Sequence, residues 1–241
     1  MLTKNEIKYI QSLFHKKQRD EEKLFVAEGP KLAKELLNSQ IGIKHIYATT
    51  TWLQNNRALK VPATEISDLE LGRITNQQTP NEVVVIAHQF VSADEPILRG
   101  RLTIVLDGMQ DPGNMGTIIR IADWFGVQQI ICSNDCVEIY NSKVVQSTMG
   151  SILRVSCWYK DLHEWEPGID IPVFGAVLNG KNIYSLGKVD EGLLVIGNES
   201  KGIREPFISK ITHPVTIPKS GPAESLNAAV ATGIIIGCMV H

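Results

Sequence analysis

Apolar residues change their spacing along the chain in a way that divides it into two regions. Near the start, Ile7, Ile10, Leu13 and Phe14 recur at helical spacing behind Thr3 and Glu6, a capping-box pair, so a helix opens the chain. Lys23 to Glu28 reads as a short strand, Gly29-Pro30 starts a helix carrying Leu32, Leu36 and Leu37, and Ile43 to Ala48 reads as the next strand. Together these make a β-α-β unit. Ser67 and Glu70 form a second capping box before Leu71, and Glu82 to Ala87 is a β-branched strand. The pattern predicts a small α/β domain over residues 1–92.

Phe90 to Gly100 mixes Pro96, acidic residues and glycine without periodicity, the composition of a linker, which is placed at 93–100. From 101 to 241, apolar runs at 102–106, 128–132, 153–158, 171–177, 192–197 and 214–217 alternate with helical patterns near 115–125, 141–149 and 226–240. Short, continuously apolar strands separated by helices predict a buried, mostly parallel sheet flanked by helices.

Composition constrains the partners. With 43% hydrophobic and 21% charged residues in 241, the chain can build a substantial core, which excludes wholesale disorder. A net charge of -2 provides no global positive field, so any nucleic-acid contact has to come from a local basic patch. Lys4, Lys8, Lys16, Lys17, Arg19 and Lys23 form such a concentration, which fits a solvated helix face equally well. Cys132, Cys136, Cys157 and Cys238 contain no C-x-x-C pair and no histidine at zinc-ligand spacing, so reduced, mostly buried thiols are expected and no metal site is signalled. No signal-peptide pattern opens the chain, and the apolar run Ala228 to Val240 is shorter than the ~20 residues that span a bilayer. A cytoplasmic, non-membrane protein is expected.

In parallel sheets ligands collect beyond the carboxyl ends of the strands, and three loops there carry polar residues. In Leu106 to Gly126 (LDGMQDPGNMGTIIRIADWFG) a strand ends at Asp107, and Asn114 is placed to cap a helix that carries Arg120. Taken alone, such a segment reads first as a connecting loop with a surface arginine. The spacing of Gly108, Gly113 and Gly116 matches neither the dinucleotide fingerprint nor the phosphate-binding loop, which disfavours a dinucleotide-dependent enzyme. In Leu193 to Ile203 (LLVIGNESKGI) a strand runs into Gly197, where backbone can approach a ligand closely, and then presents Glu199. In Ile217 to Ile235 a Gly-Pro turn leads to Ser225, a candidate cap for an apolar terminal helix whose polar residues, Ser225 and Asn227, are confined to its first turn.

Taken together and in this order, the three loops resemble the signature motifs of the SpoU, or TrmH, family of RNA ribose 2′-O-methyltransferases. They match D-x-x-x-D-P-x-N-x-G-x-x-x-R, G-x-E-x-x-G and I-P-x-x-G-x-x-x-S-L-N. The stretch KYIQSLFHKKQRDEEKLFVAEGPKLAKELL is similar to the small substrate-binding domain that precedes the catalytic domain in many members. Gly113, Lys201 and Ala228 depart from the usual pattern, which bears on RNA selectivity more than on methyl transfer. The resemblance implies a catalytic domain with a C-terminal trefoil knot, an exception to the unknotted rule. It also implies S-adenosylmethionine as cofactor, and a homodimer whose active site is completed near the subunit interface. The implied catalytic group is Arg120 with Asn114, Glu199, Ser225 and Asn227, and the implied cofactor contacts are Ala176, Gly197, Ile217 and Leu226. Arg120 acts either as general base or, because a guanidinium stays protonated, by holding a phosphate and stabilising developing oxyanion charge, with Glu199 orienting it. Lys8, Lys16, Lys17 and Arg19 are expected to contact RNA phosphates independently of sequence. The N-terminal domain favours ribosomal RNA over tRNA as the substrate. A non-catalytic RNA-binding protein of the same fold is the remaining rival, and retention of the polar motif residues argues against it.

Overall fold

The computed structural model describes residues 1–90, 95–168, 170–198, 200–205 and 207–241. Within it the chain forms two units, Met1–Val91 with Tyr140–Leu153, and Ser92–Ile139 with Arg154–His241.

In the first unit α1 (Lys4–Ser12) opens on the Thr3–Glu6 capping box, but a second helix, α2 (Lys16–Glu22), follows almost at once and ends at Lys23 with a left-handed φ of 55°. Then come β1 (Leu24–Glu28), α3 (Pro30–Leu37) with Pro30 in its first turn, β2 (Ile43–Ala48) and α4 (Thr50–Asn55). After these lie β3 (Ala63–Glu65), α5 (Asp68–Ile74) behind the Ser67–Glu70 box, and β4 (Val83–His88). The strands form one sheet in the order β1-β4-β2-β3. β4 lies between β1 and β2 and runs antiparallel to both, so the β-α-β unit is split by the last strand of the domain. Leu13, Leu24, Val26, Leu71, Ile74 and Ile86 pack into its core.

The basic cluster does not share one surface. Arg19 is only 2% exposed, and its Nη1 donates to the Leu13 carbonyl at 2.9 Å. It ties α2 back to the end of α1, which corrects its expected role as a phosphate contact: an interior guanidinium already bonded to backbone is not available to RNA. Lys8, Lys16 and Lys17 are exposed, and Lys17 lies 3.9 Å from Glu21.

The remaining elements are β5 (Leu102–Leu106), α6 (Pro112–Trp124), β6 (Gln129–Ser133), α7 (Ser142–Thr148) and β7 (Ser156–Lys160). They continue as β8 (Val173–Asn182), β9 (Gly192–Ile196), β10 (His213–Thr216) and α8 (Ala228–Val240). Although α7 falls within the run of the later sequence, it packs in the first unit, where Asn76 Nδ2 donates to Ser142 Oγ at 3.2 Å. The second unit carries a six-stranded sheet ordered β10-β8-β9-β5-β6-β7, every pair of which is parallel. All residues of β5, β6 and β9 are buried, as strands covered on both faces require.

Of the expected linker, residues 93 and 94 lie outside the described residues. The rest is fastened to the second unit: Ile97 and the Gln129 side chain exchange hydrogen bonds of 2.9 and 2.8 Å, and Leu98 is buried.

Both expected helix caps shift. α6 is capped by Asp111, whose carboxylate accepts the Asn114 N–H at 2.7 Å, because Pro112 pre-sets the helical φ and starts the helix earlier than Asn114. α8 is capped by Asn227, whose side-chain oxygen accepts from the N–H groups of Ala229 and Val230 at 3.0 and 3.2 Å. Ser225 stands upstream of the cap, exposed. Among the described residues no helix is long and apolar enough to cross a membrane.

The Glu70 carboxylate accepts from Leu2 N–H at 2.6 Å and from Ser67 N–H and hydroxyl at 3.0 and 2.9 Å, which lowers its pKa to about 2. A carboxylate depressed in this way contributes stability above the unfolded value near 4.5, lost as pH falls toward about 2. Glu70→Gln is expected to lower the melting temperature at neutral pH and to flatten its fall between pH 5 and 2. Melting curves across that range check this, and an unchanged slope contradicts it.

Candidate active site

Because all six strands of the second sheet run the same way, the turns after β5, β6, β8, β9 and β10 open on one edge. A buried carboxylate sits among them. Asp107, 2% exposed at the end of β5, accepts Arg204 Nε at 2.8 Å on Oδ1, with Nη2 bonded to the same oxygen, and accepts the Arg204 backbone N–H at 2.7 Å on Oδ2. Arg204 also donates to both oxygens of Asp135, Nη1 at 2.8 Å and Nη2 at 3.0 Å. Those bonds hold the Asp135 carboxyl below its ordinary pKa, while the two aspartates raise that of the guanidinium. Ser133 joins the cluster, donating to Asp135 Oδ1 at 2.6 Å and accepting the Gly108 N–H at 2.8 Å. Cys136 Sγ accepts the Met109 N–H at 3.2 Å; the Cys132 thiol, the Ser133 hydroxyl and this N–H lower its pKa to about 7 against the effect of burial.

The turn after β9 is bound to the same place by its other end. Asn198 Nδ2 donates to the Gly108 carbonyl at 2.8 Å, and Asn198 and Gly202 exchange backbone hydrogen bonds of 3.1 and 2.8 Å that pinch the turn shut. Gly197 makes this possible. A Cβ there would stand 2.2 Å from Gly202 C and 2.3 Å from Ile203 N, so the absent side chain admits the chain's own backbone.

Behind this turn lies a cavity of about 990 Å³, at the upper end of the roughly 300–1,000 Å³ usual for small-molecule sites. Ala176, Gly197, Ile217 and Leu226 all line it, as does Ser225, so the structure brings together residues of β8 itself, which runs on past Ala176 to Asn182, with residues from the turns after β9 and β10. Its walls are largely apolar, with Ile196, Ile203 and Ile235 among them, and Lys201, Lys219 and Glu224 stand at its rim.

Of the motif residues outside the cavity, Asn114 and Asn227 are joined to each other. Asn114, in the first turn of α6, accepts from Asn227 Nδ2 at 2.8 Å through its side-chain oxygen, linking the first and third motifs across the caps of α6 and α8. Arg120 is exposed on α6, and among the described residues it has no hydrogen-bonding or ionic partner. Glu199 lies outside the described residues. Sequence reasoning passed over Arg204, Asp135, Ser133 and Asn198. Asp107 stood inside the first motif, but nothing in residue spacing points from it to an arginine 97 positions away.

Comparison with known proteins bears on this edge of the sheet. The SpoU rRNA methylase family model matches residues 101–237, and an MRM3-like substrate binding domain matches 4–85. A TrmH-family protein from Porphyromonas gingivalis is 35% identical, with a TM-score of 0.86 over 100% of this chain and 98% of that one. An AdoMet-bound rRNA methyltransferase from Sinorhizobium meliloti is 30% identical, with a TM-score of 0.85 over 99% of this chain and 95% of that one. A 23S rRNA (guanosine(2553)-2'-O)-methyltransferase from Bacillus subtilis is 27% identical over 95% of this chain and 94% of that one.

Gly197→Ala is expected to destabilise the protein by about 1–3 kcal/mol, because the new methyl group meets backbone that cannot swing aside. It also opens the pinched turn that walls the cavity. Thermal melting alongside ligand titration checks both effects, and wild-type values for both contradict the packing argument.

Proposed function

Because the chain belongs to the SpoU rRNA methylase family, we propose that it methylates a ribose 2′-hydroxyl of ribosomal RNA, with the cavity against β8 and beyond β9 and β10 holding S-adenosylmethionine. It is an S-adenosylmethionine-dependent RNA 2′-O-methyltransferase by family. The acceptor in ribosomal RNA is supported by the B. subtilis relative, which matches nearly the full length of both chains and is named for 23S rRNA.

The observation that carries the reading is the convergence of three distant sequence motifs on one edge of one parallel sheet. The cavity is fit for the cofactor: apolar walls suit an adenine ring, and polar lining residues such as Asn198, Thr216 and Ser225 suit its polar atoms. Ala176, Gly197, Ile217 and Leu226 are the residues we assign to hold it. When bound, S-adenosylmethionine supplies a methyl group on a sulfonium, open to direct displacement by an oxygen.

The protein has to position the ribose hydroxyl and manage its proton. Arg120, exposed and unpaired among the described residues, is assigned to hold the RNA phosphate and stabilise charge developing on the hydroxyl oxygen; a guanidinium that keeps its proton suits this role better than that of a base. Asn114 and Asn227 fix the first turns of their two helices against each other, and Ser225 faces the cavity from the same segment. Glu199 is assigned to orient Arg120.

Asn114 and Arg120 do not line the cavity in their own subunit, which supports a homodimer whose site is completed near the subunit interface. Trp124 on α6, 84% exposed, and Val230 on α8, 51% exposed, lie on two helices that pack together and supply an apolar surface for it. We assign residues 1–92 to RNA binding and 101–241 to catalysis, in keeping with the two family matches, except that 140–153 packs with the first unit. The trefoil knot is assigned to the C-terminal chain, which approaches other backbone closely at Gly180 and Gly197. Lys8, Lys16 and Lys17 remain the proposed phosphate contacts, and the cytoplasm the proposed location.

Arg120→Ala is expected to lower turnover roughly 100-fold or more while leaving cofactor affinity within a few fold. Near-normal turnover contradicts its assignment. Tritiated methyl transfer to purified ribosomal RNA and tRNA from cells lacking the gene tests the acceptor. Label in ribosomal RNA, at an alkali-resistant ribose, is the expected outcome, and label confined to tRNA overturns that part of the reading.

A further inference from the structure

We propose that Arg204 is a positioning residue for the cofactor, acting through the turn after β9 rather than by touching the reacting atoms. This rests on the reading of the cavity as the S-adenosylmethionine site. Asn198 and residues 200–203 form one wall of that cavity, which stands on two feet, at Asn198 and at Arg204. Its first foot is the single hydrogen bond from Asn198 Nδ2 to the Gly108 carbonyl, and its second is the set of bonds from the Arg204 backbone and guanidinium to Asp107. Both feet rest on the same dipeptide at the end of β5. Between them the turn organises itself, since the Asn198 side-chain oxygen accepts the N–H groups of Ser200 and Lys201 at 2.9 and 3.2 Å.

The two feet differ in rigidity. Asn198 offers one neutral bond, whereas the planar guanidinium meets Asp107 with two donors and reaches both oxygens of Asp135 in the turn after β6. Arg204 therefore locks three strand-end turns into one block, and that block leads through Asp111 into the helix carrying Asn114 and Arg120. Releasing the arginine leaves the turn held at Asn198, so the wall loosens without the sheet coming apart. The consequence falls on cofactor binding first and leaves Lys8, Lys16 and Lys17, the proposed phosphate contacts of the first unit, alone.

The experiment uses the full-length protein, beginning with the wild type, whose failure to bind S-adenosylmethionine or transfer its methyl group would overturn the underlying assignment of the cavity. Arg204→Lys keeps the charge but not the fork. It is expected to raise the KM for S-adenosylmethionine about tenfold, with the affinity for RNA within about twofold of wild type and a native circular dichroism spectrum. Asp135→Asn leaves the buried Asp107 pair intact, which keeps the test open if the lysine variant folds poorly, and is expected to raise the same KM about threefold at an unchanged melting temperature. Guanidinium ion added to Arg204→Ala is expected to restore part of the cofactor affinity. A wild-type KM in both Arg204→Lys and Asp135→Asn overturns the proposal, as does a loss that tracks only the unfolded fraction and affects RNA and cofactor binding equally.

Discussion

The site depends on one ion pair, between a buried carboxylate and a half-buried guanidinium. Asp107 ends a fully buried central strand, and a carboxylate placed there is strongly disfavoured unless its oxygens are bonded and its charge is met. Arg204 meets both demands with two side-chain donors and its own backbone N–H. The same guanidinium reaches Asp135, so the turns after β5, β6 and β9 share one anchor. An ion pair of this kind is weak evidence for overall stability, since a hydrophobic pair of similar volume can do as well. Its use here is geometric: it fixes where three turns begin.

The rest of the arrangement follows from the sheet. Parallel strands deliver all their carboxyl ends to one edge, and the strand order changes direction between β5 and β9, the kind of place where open α/β sheets leave a crevice. The cavity wall made by the second and third motifs lies on the β9 side of that point, and the helix with Asn114 and Arg120 departs from the β5 side. The Asn114–Asn227 bond bridges them, joining two helix starts whose backbone N–H groups are already satisfied by their caps.

Much of this was legible in the sequence, and the reasons for success and failure are physical. Strands such as Leu102–Leu106 stand out because burial on both faces demands unbroken apolar runs, and the terminal helix because its apolar run is too long for a strand. The capping boxes at Thr3 and Ser67 name their helices through a reciprocal bond that only a few residue types can make. The caps at Asn114 and Ser225 were misplaced by three and two residues because aspartate and asparagine serve as well, and Asp111 and Asn227 stood closer to the helix starts. Arg19 looked like surface charge because its neighbours are lysines, whereas its guanidinium turns inward to a carbonyl that composition does not reveal. Arg204 was missed for the same reason in reverse: its partners are distant in sequence, and only the sheet order brings them together. The motifs at Ala176, Gly197, Ile217 and Leu226 were found because the resemblance supplied them, and the structure gathers all four around one cavity.

The central claim is that this cavity receives the cofactor. A crystal structure of the protein with S-adenosylhomocysteine tests it most directly. The account predicts density for the nucleoside against Ala176, Gly197, Ile217 and Leu226, with the Asp107–Arg204 pair intact beneath the turn. A ligand bound elsewhere on the molecule, with that cavity holding only solvent, would contradict it.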